Sequence, residues 1–127
     1  MAWPRSYQLA LLQLAHLLFS ADDTLDETEM RALNELREKE GIGEDVFHEF
    51  RKGIVGRTEK EIYDHGTELI NQCTDREKLR AFAHLYHLSD IDGRVHVKEV
   101  RLLLYSIKVA GVDFGEVAKL SAQLWHK

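Results

Sequence analysis

Hydrophobic positions recur at steps of three and four residues along nearly the whole chain. Leu9, Leu12 and Phe19 form one such series, and Met30 and Leu33 begin the next. This spacing places side chains on one face of a helix, whereas the two-residue alternation of half-buried strands is not sustained anywhere. The pattern therefore predicts an all-α protein.

The predicted helices have clear starts and stops. Thr or Asp followed three residues later by Glu can satisfy the free amide groups of a first helical turn, and this pairing occurs at Asp26 with Glu29, Thr58 with Glu61, Thr74 with Glu77, and Asp113 with Glu116. Glycines that favour helix ends follow at positions 41, 43, 53, 56 and 111. Together these signals predict seven helices, at about residues 5–20, 26–39, 44–52, 58–72, 75–88, 96–110 and 114–126.

The chain also contains an internal duplication. In helices one and two, and again in helices five and six, an apolar helix is followed by an acidic turn and then by a helix with a glutamate near its start. The spacing from Asp22 to Glu29 equals that from Asp92 to Glu99. We therefore predict one compact bundle of about seven helices, built around a duplicated helix–acidic turn–helix unit.

These residues resemble the TerB-like domains of tellurite-resistance proteins, whose relatives include the N-terminal part of certain DnaJ-like co-chaperones. The shared motif is an Asp-Gly turn, a variable residue, a hydrophobic residue, and a glutamate seven places after the aspartate. The second copy, Asp92-Gly93-Arg94-Val95 with Glu99, matches fully. The first copy, Asp22-Asp23-Thr24-Leu25 with Glu29, has Asp23 in place of glycine. Aspartate tolerates left-handed backbone better than most residues other than glycine.

The resemblance covers the whole chain and implies a single TerB-like domain over residues 1–127, a stress-response setting, and paired acids that gather a divalent cation. It brings no defined enzymatic activity. Hard divalent cations prefer several oxygen ligands at once, and the two turns would supply four carboxylates. We take Asp22, Glu29, Asp92 and Glu99 as candidate metal ligands, with calcium, magnesium, manganese and zinc not distinguished.

Other interpretations of the acids remain open. Glu29 could act only as the partner of a capping box with Asp26, and an Asp-Gly pair also forms plain turns. A calcium EF-hand aligned on Glu99 places Asp90, Asp92 and Gly93 correctly, but its first position is a leucine in both copies. An ordinary EF-hand is therefore disfavoured.

Histidines suggest a different metal site. His84 and His87 share a helical face, and His96 follows closely, a set that could suit zinc or nickel together with Asp90 or Asp92. Structural histidines explain such a pair more simply.

Composition and charge narrow the function class. The net charge is −5, and residues 22–45 hold ten Asp or Glu against three Lys or Arg, which argues against nucleic-acid binding and predicts one acidic end. The chain has a single cysteine, Cys73, which fits a reducing compartment. The apolar run at residues 9–19 would otherwise suit a signal peptide or a membrane segment, but Gln13 and His16 interrupt it. We expect a cytoplasmic protein without membrane insertion.

Phosphate loops, nucleophile elbows and catalytic triads are missing from the sequence, so we expect a non-enzymatic module. Two functions remain. The chain either binds a divalent cation through its acidic turns, or acts as a metal-free adaptor that holds another protein through an acidic helix face and terminal aromatics. Trp3 and Trp125 would form an apolar edge in the second case if the two termini pack together.

Overall fold

A computed structural model of the chain describes residues 3–19, 27–91 and 97–125, with backbone alone for residues 90, 91, 97–100 and 102. The described residues form seven α-helices and no strands, which confirms the predicted all-α bundle. The helices are α1 (Arg5–Phe19), α2 (Glu27–Glu40), α3 (Glu44–Ile54), α4 (Glu59–Asn71), α5 (Asp75–Ile91), α6 (Val97–Val109) and α7 (Phe114–Leu124).

Helix α1 is the centre of the bundle. Every residue from Tyr7 to Phe19 is buried, and α1 contacts α2, α3, α4, α5 and α6. The polar residues on it are accommodated by hydrogen bonds: the Gln8 amide donates to the Trp3 carbonyl at 2.5 Å, and the Gln13 Nε2 lies 2.9 Å from the His65 Nδ1 of α4. Burying such groups without partners would cost free energy, so the polar interruptions of the apolar run are integral to the packing.

Two of the predicted capping boxes form completely, at Thr58 and Thr74, and the one predicted at Asp113 forms by half. In α4 and again in α5, the threonine hydroxyl accepts from the glutamate N–H while the glutamate carboxylate accepts from the threonine N–H. In α7 the Asp113 carboxylate accepts from the Glu116 N–H at 3.0 Å. Asp26 lies outside the described residues, so the box predicted for α2 stays a prediction.

Two helices extend beyond their predicted ends. Gly53 does not stop α3, which continues to the buried Ile54, and the chain turns at Gly56 with φ of 71°. Helix α5 continues through Asp90 to Ile91, and the Ser89 hydroxyl donates back to the Tyr86 carbonyl at 2.8 Å. A glycine ends a helix only where the backbone becomes left-handed, and Gly53 keeps helical backbone.

Helices α5, α6 and α7 complete the bundle. Helix α7 packs mainly on α5, while α6 contacts α1, α5 and α7. The contacts of α1 with α2 and of α5 with α6 are those that the two predicted helix–turn–helix units require. None of the helices in the described ranges combines the length and apolar character that crossing a membrane demands.

Candidate functional site

The four candidate metal ligands are unequally described. Asp22 and Asp92 lie outside the described residues, and Glu99 belongs to α6 but its side chain is not described. Glu29, the third residue of α2, is fully described and fully buried. In the sequence, the first acidic turn connects α1 to α2, and the buried Glu29 follows Asp22 by seven residues.

The Glu29 carboxylate forms a buried hydrogen bond with His16 of α1. The contact joins Glu29 Oε2 to His16 Nδ1, and both side chains are 0% exposed. The Phe50 ring of α3 meets the His16 ring edge-on, with 6.0 Å between the ring centroids. Since buried carboxylates require hydrogen bonding or pairing, this imidazole fixes where the Glu29 carboxylate lies.

The buried stripe of α2 has a carboxylate at each end. Glu29, Leu33, Leu36 and Glu40 are the buried residues of this helix, at the spacing of one helical face. Glu40, its last residue, accepts from the Arg80 Nε of α5 at 2.8 and 3.1 Å and also contacts His84 Nε2. An otherwise polar helix is thus held to α1 at one end and to α5 at the other.

The contact with Trp125 indicates which ring nitrogen of His84 accepts a hydrogen bond. The Trp125 indole Nε1–H lies 3.0 Å from His84 Nδ1, and an indole nitrogen can only donate. His84 Nδ1 must therefore accept, which leaves the ring proton on Nε2, where it donates to Glu40. The His84 ring thus lies between the indole of Trp125 and the carboxylate of Glu40.

Both terminal tryptophans pack against side chains of α5. Trp125 stacks on His87 with 4.0 Å between centroids, and the Lys39 ammonium lies 4.5 Å from the Trp125 ring. The Arg80 guanidinium lies 4.8 Å from the Trp3 ring. Each tryptophan is partly buried against the core, so most of this aromatic surface serves internal packing.

The tyrosine beneath Trp3 belongs to the same cluster. The Tyr7 and Trp3 rings lie 5.0 Å apart, and Tyr7 is fully buried. Burial, and next the nearby Glu40 charge, raise the pKa of Tyr7 far above its ordinary value. Its phenol stays neutral across the physiological range, which fits a structural role.

The histidines proposed for zinc or nickel have structural partners in this cluster. His84 contacts Glu40 and Trp125, and His87 stacks on Trp125, while His96 lies outside the described residues. Across residues 3–19, 27–91 and 97–125, no group of three or more His, Cys, Asp or Glu side chains is arranged to hold a metal ion.

Three of the four helices that flank the acidic turns, α1, α5 and α6, line a small apolar cavity of about 20 Å³. Its lining includes Leu17 and Leu18 from the end of α1, Leu85 of α5 and Leu103 of α6. Leu85 lies six residues before the end of α5, and Leu103 lies six residues after the start of α6. The helix that enters the first turn and the two helices that flank the second turn therefore contribute side chains to one region of the bundle.

Sequence reasoning missed Glu40 and Arg80. The signal for Glu40 was available, because it continues the stripe of Glu29, Leu33 and Leu36 by one further turn. Arg80 carried no comparable signal, since its role depends on the crossing of α2 and α5. Neither protein-family models, nor curated protein sequences, nor solved structures yield a match to this chain.

Proposed function

We propose that the chain is a non-enzymatic, cytoplasmic TerB-like module of a tellurite-resistance or stress-response system, whose two acidic turns together bind one divalent cation. The proposed ligands are Asp22 and Glu29 from the first unit and Asp92 and Glu99 from the second. The complete burial of Glu29 beside the first turn carries the proposal.

This burial separates Glu29 from the glutamates of the other capping boxes. Glu61 is exposed and Glu77 is half-buried, as expected for side chains that only return a hydrogen bond at a helix start, and Glu116 at the start of α7 is exposed as well. Glu29 instead directs a carboxylate oxygen at a buried imidazole. A capping role alone does not require that desolvation, whereas a metal-ligating carboxylate is commonly oriented by a hydrogen-bonded outer neighbour.

The shared cavity supports a single site rather than two. Leu18 adjoins the last residue of α1, and Leu85 and Leu103 each lie about 9 Å along their helices from the second turn, at 1.5 Å per residue. Turns whose flanking helices line one cavity lie close enough in the fold for us to propose that their carboxylates reach one ion. Four hard oxygen donors suit calcium, magnesium or manganese best, with zinc as a further candidate.

The bound ion would supply charge neutralisation and cross-linking. It would tie the α1–α2 unit to the α5–α6 unit and relieve the repulsion among the acids of the two turns. His16 would hold the Glu29 carboxylate in place, and Phe50 would exclude water from the other side of the imidazole.

Calorimetric titration of the metal-stripped chain with calcium, magnesium, manganese and zinc tests the proposal. We expect Glu29→Gln to weaken binding by at least the roughly 10–100-fold that loss of a hydrogen-bonded outer neighbour costs, because it removes one of the proposed ligands. Glu61→Gln is the matched control, because Glu61 occupies the same position of a capping box but is exposed. If no cation binds, or if both variants bind as the parent does, the proposal is wrong.

The outer face of α2 favours a second candidate function, a metal-free adaptor. A broad shallow groove there is lined by charged and polar side chains, including Arg31, Asn34, Glu35 and Glu38. Such a face could hold a protein partner. The terminal tryptophans support this function less, since both are engaged by side chains of α5.

A further inference from the structure

Helix α6 has apolar side chains on both of its faces. Leu103 and Ile107 are buried against the bundle, as an amphipathic helix requires. On the other side Leu104 and Tyr105 are exposed, and Val109, which is also exposed, lies at the border with the bundle, where it lines a small cavity beside α1, α4 and α5. A helix that is apolar on both sides is normally covered on both sides.

The exposed apolar residues alternate with positive charges. Arg101, Leu104, Tyr105, Lys108 and Val109 follow the i, i+3, i+4, i+7, i+8 spacing of a single helical face, and all five are exposed. We call this face the α6 stripe. Phe114, 44% exposed, begins α7 just beyond the Gly111 turn.

The size of this surface suits a short helix. Together Leu104, Tyr105 and Val109 expose surface on the order of 300 Å², at the low end of the range of patches that are often functional on monomers. An area of that order is small for a permanent interface and fits a weak or transient contact.

The positive charges of the α6 stripe favour one kind of binding partner over another. A second copy of the chain docked stripe to stripe would bring Arg101 and Lys108 near their own counterparts, and like charges across an interface are unfavourable. An acidic helix would instead place carboxylates opposite these cations and apolar side chains over Tyr105 and Val109. We infer that the α6 stripe is a docking surface for an acidic amphipathic helix of a partner protein.

This surface is distinct from the acidic turns and from the outer face of α2, so its test can be independent of metal binding. The probe is a fluorescently labelled synthetic helix of about 15 residues, long enough for helicity, with leucines on one face and glutamates beside them. A companion peptide carries lysines in place of the glutamates. Anisotropy titrations are performed in EDTA, with folding of each variant checked by circular dichroism.

We expect the acidic peptide to bind at least about tenfold more tightly than the basic one, and its affinity to fall with added salt. Val109→Ser should weaken binding by about tenfold or more, while Val55→Ser should leave it unchanged. Val55 is a matched control, since it is 64% exposed and Val109 is 59% exposed. Lys108→Glu should weaken binding, whereas Lys52→Glu on the exposed part of α3 should not.

Several results would overturn the inference. Equal affinity for the two peptides would show that charge does not select the partner. An equal loss of affinity in Val55→Ser and Val109→Ser would show that the peptide does not bind at the α6 stripe. Failure of the acidic peptide to bind at millimolar concentration would also refute it. Stripe-dependent binding to phosphatidylserine vesicles, or stripe-dependent self-association in sedimentation, without peptide binding would assign the stripe to a membrane or to a second copy instead.

Discussion

Replacing Glu40 by alanine should strongly destabilise the fold. The Glu40 carboxylate is buried at the end of α2 and is the acceptor shared by Arg80 and His84 of α5. Its removal leaves the His84 Nε2–H inside the bundle without that acceptor, while Trp125 still holds the other ring nitrogen. Arg80, whose side chain is 24% exposed, can regain water more easily.

The expected loss is about 3 kcal/mol, the low end of the range for removing one partner of a buried ion pair, because Arg80 can be rehydrated. That is a large share of the roughly 5–15 kcal/mol that stabilises a typical domain. Glu40→Gln keeps an oxygen acceptor and should lose less, about 1–2 kcal/mol. Urea denaturation followed by circular dichroism at 222 nm measures both free energies of unfolding.

Glu38→Ala provides the control on the same helix, because Glu38 is exposed and should change stability by no more than about 0.5 kcal/mol. If Glu40→Ala lost less than about 1 kcal/mol, Glu40 would behave as a surface ion pair. The description of α2 as a helix held at both ends by buried carboxylates would then be refuted.

Three further predictions concern turns, caps and the thiol. Gly111→Ala should lower the free energy of unfolding by about 1 kcal/mol, because Gly111 has a φ of 75°. Gly53→Ala should raise it by up to about 1 kcal/mol, because Gly53 is helical and an added Cβ would come no closer than 3.9 Å to Gln13 Nε2. Urea unfolding measures both changes, and changes of the same sign would contradict this reasoning. Hydrogen bonds from Thr58, that of its backbone N–H first and that of its hydroxyl second, lower the pKa of Glu61. The parent should therefore be more stable than Glu61→Gln above the ordinary glutamate pKa, and this difference should disappear as the pH falls below that value and through the lowered pKa of the folded state. A difference in unfolding free energy that does not change with pH would contradict this. Burial raises the pKa of the Cys73 thiol, so a thiol reagent at pH 8 should react at least about tenfold more slowly with native than with urea-unfolded protein; equal rates would show an accessible thiol.

Local chemistry made most of the fold predictable from the sequence. The boxes at Thr58 and Thr74 act within one helical turn, and the left-handed glycines at 41, 56 and 111 act within two residues, so no tertiary information is needed to find them. Gly53 could not be distinguished from these glycines, because its backbone conformation depends on Ile54 entering the core. The end of α5 was missed for a similar reason, since polar residues there continue the helix.

The candidate site was less predictable because it depends on which helices cross. Glu29 was identified from its spacing to Asp22, but its pairing with His16 depends on the packing of α1 against α2. Glu40 meets Arg80 and His84 only because the C-terminal end of α2 reaches α5. Periodicity marks which residues of a helix face inward, but not which helix they will meet.

Counting the ions bound per chain by native mass spectrometry tests the central proposal most directly. The metal-stripped protein is loaded with manganese or calcium, and the parent is compared with Asp22→Asn and Asp92→Asn. If both turns form one site, the parent should carry one ion and each single variant none. Two ions in the parent, with one lost in each variant, would show two independent sites, and an ion-free parent would show that the acids serve only as turn and cap residues.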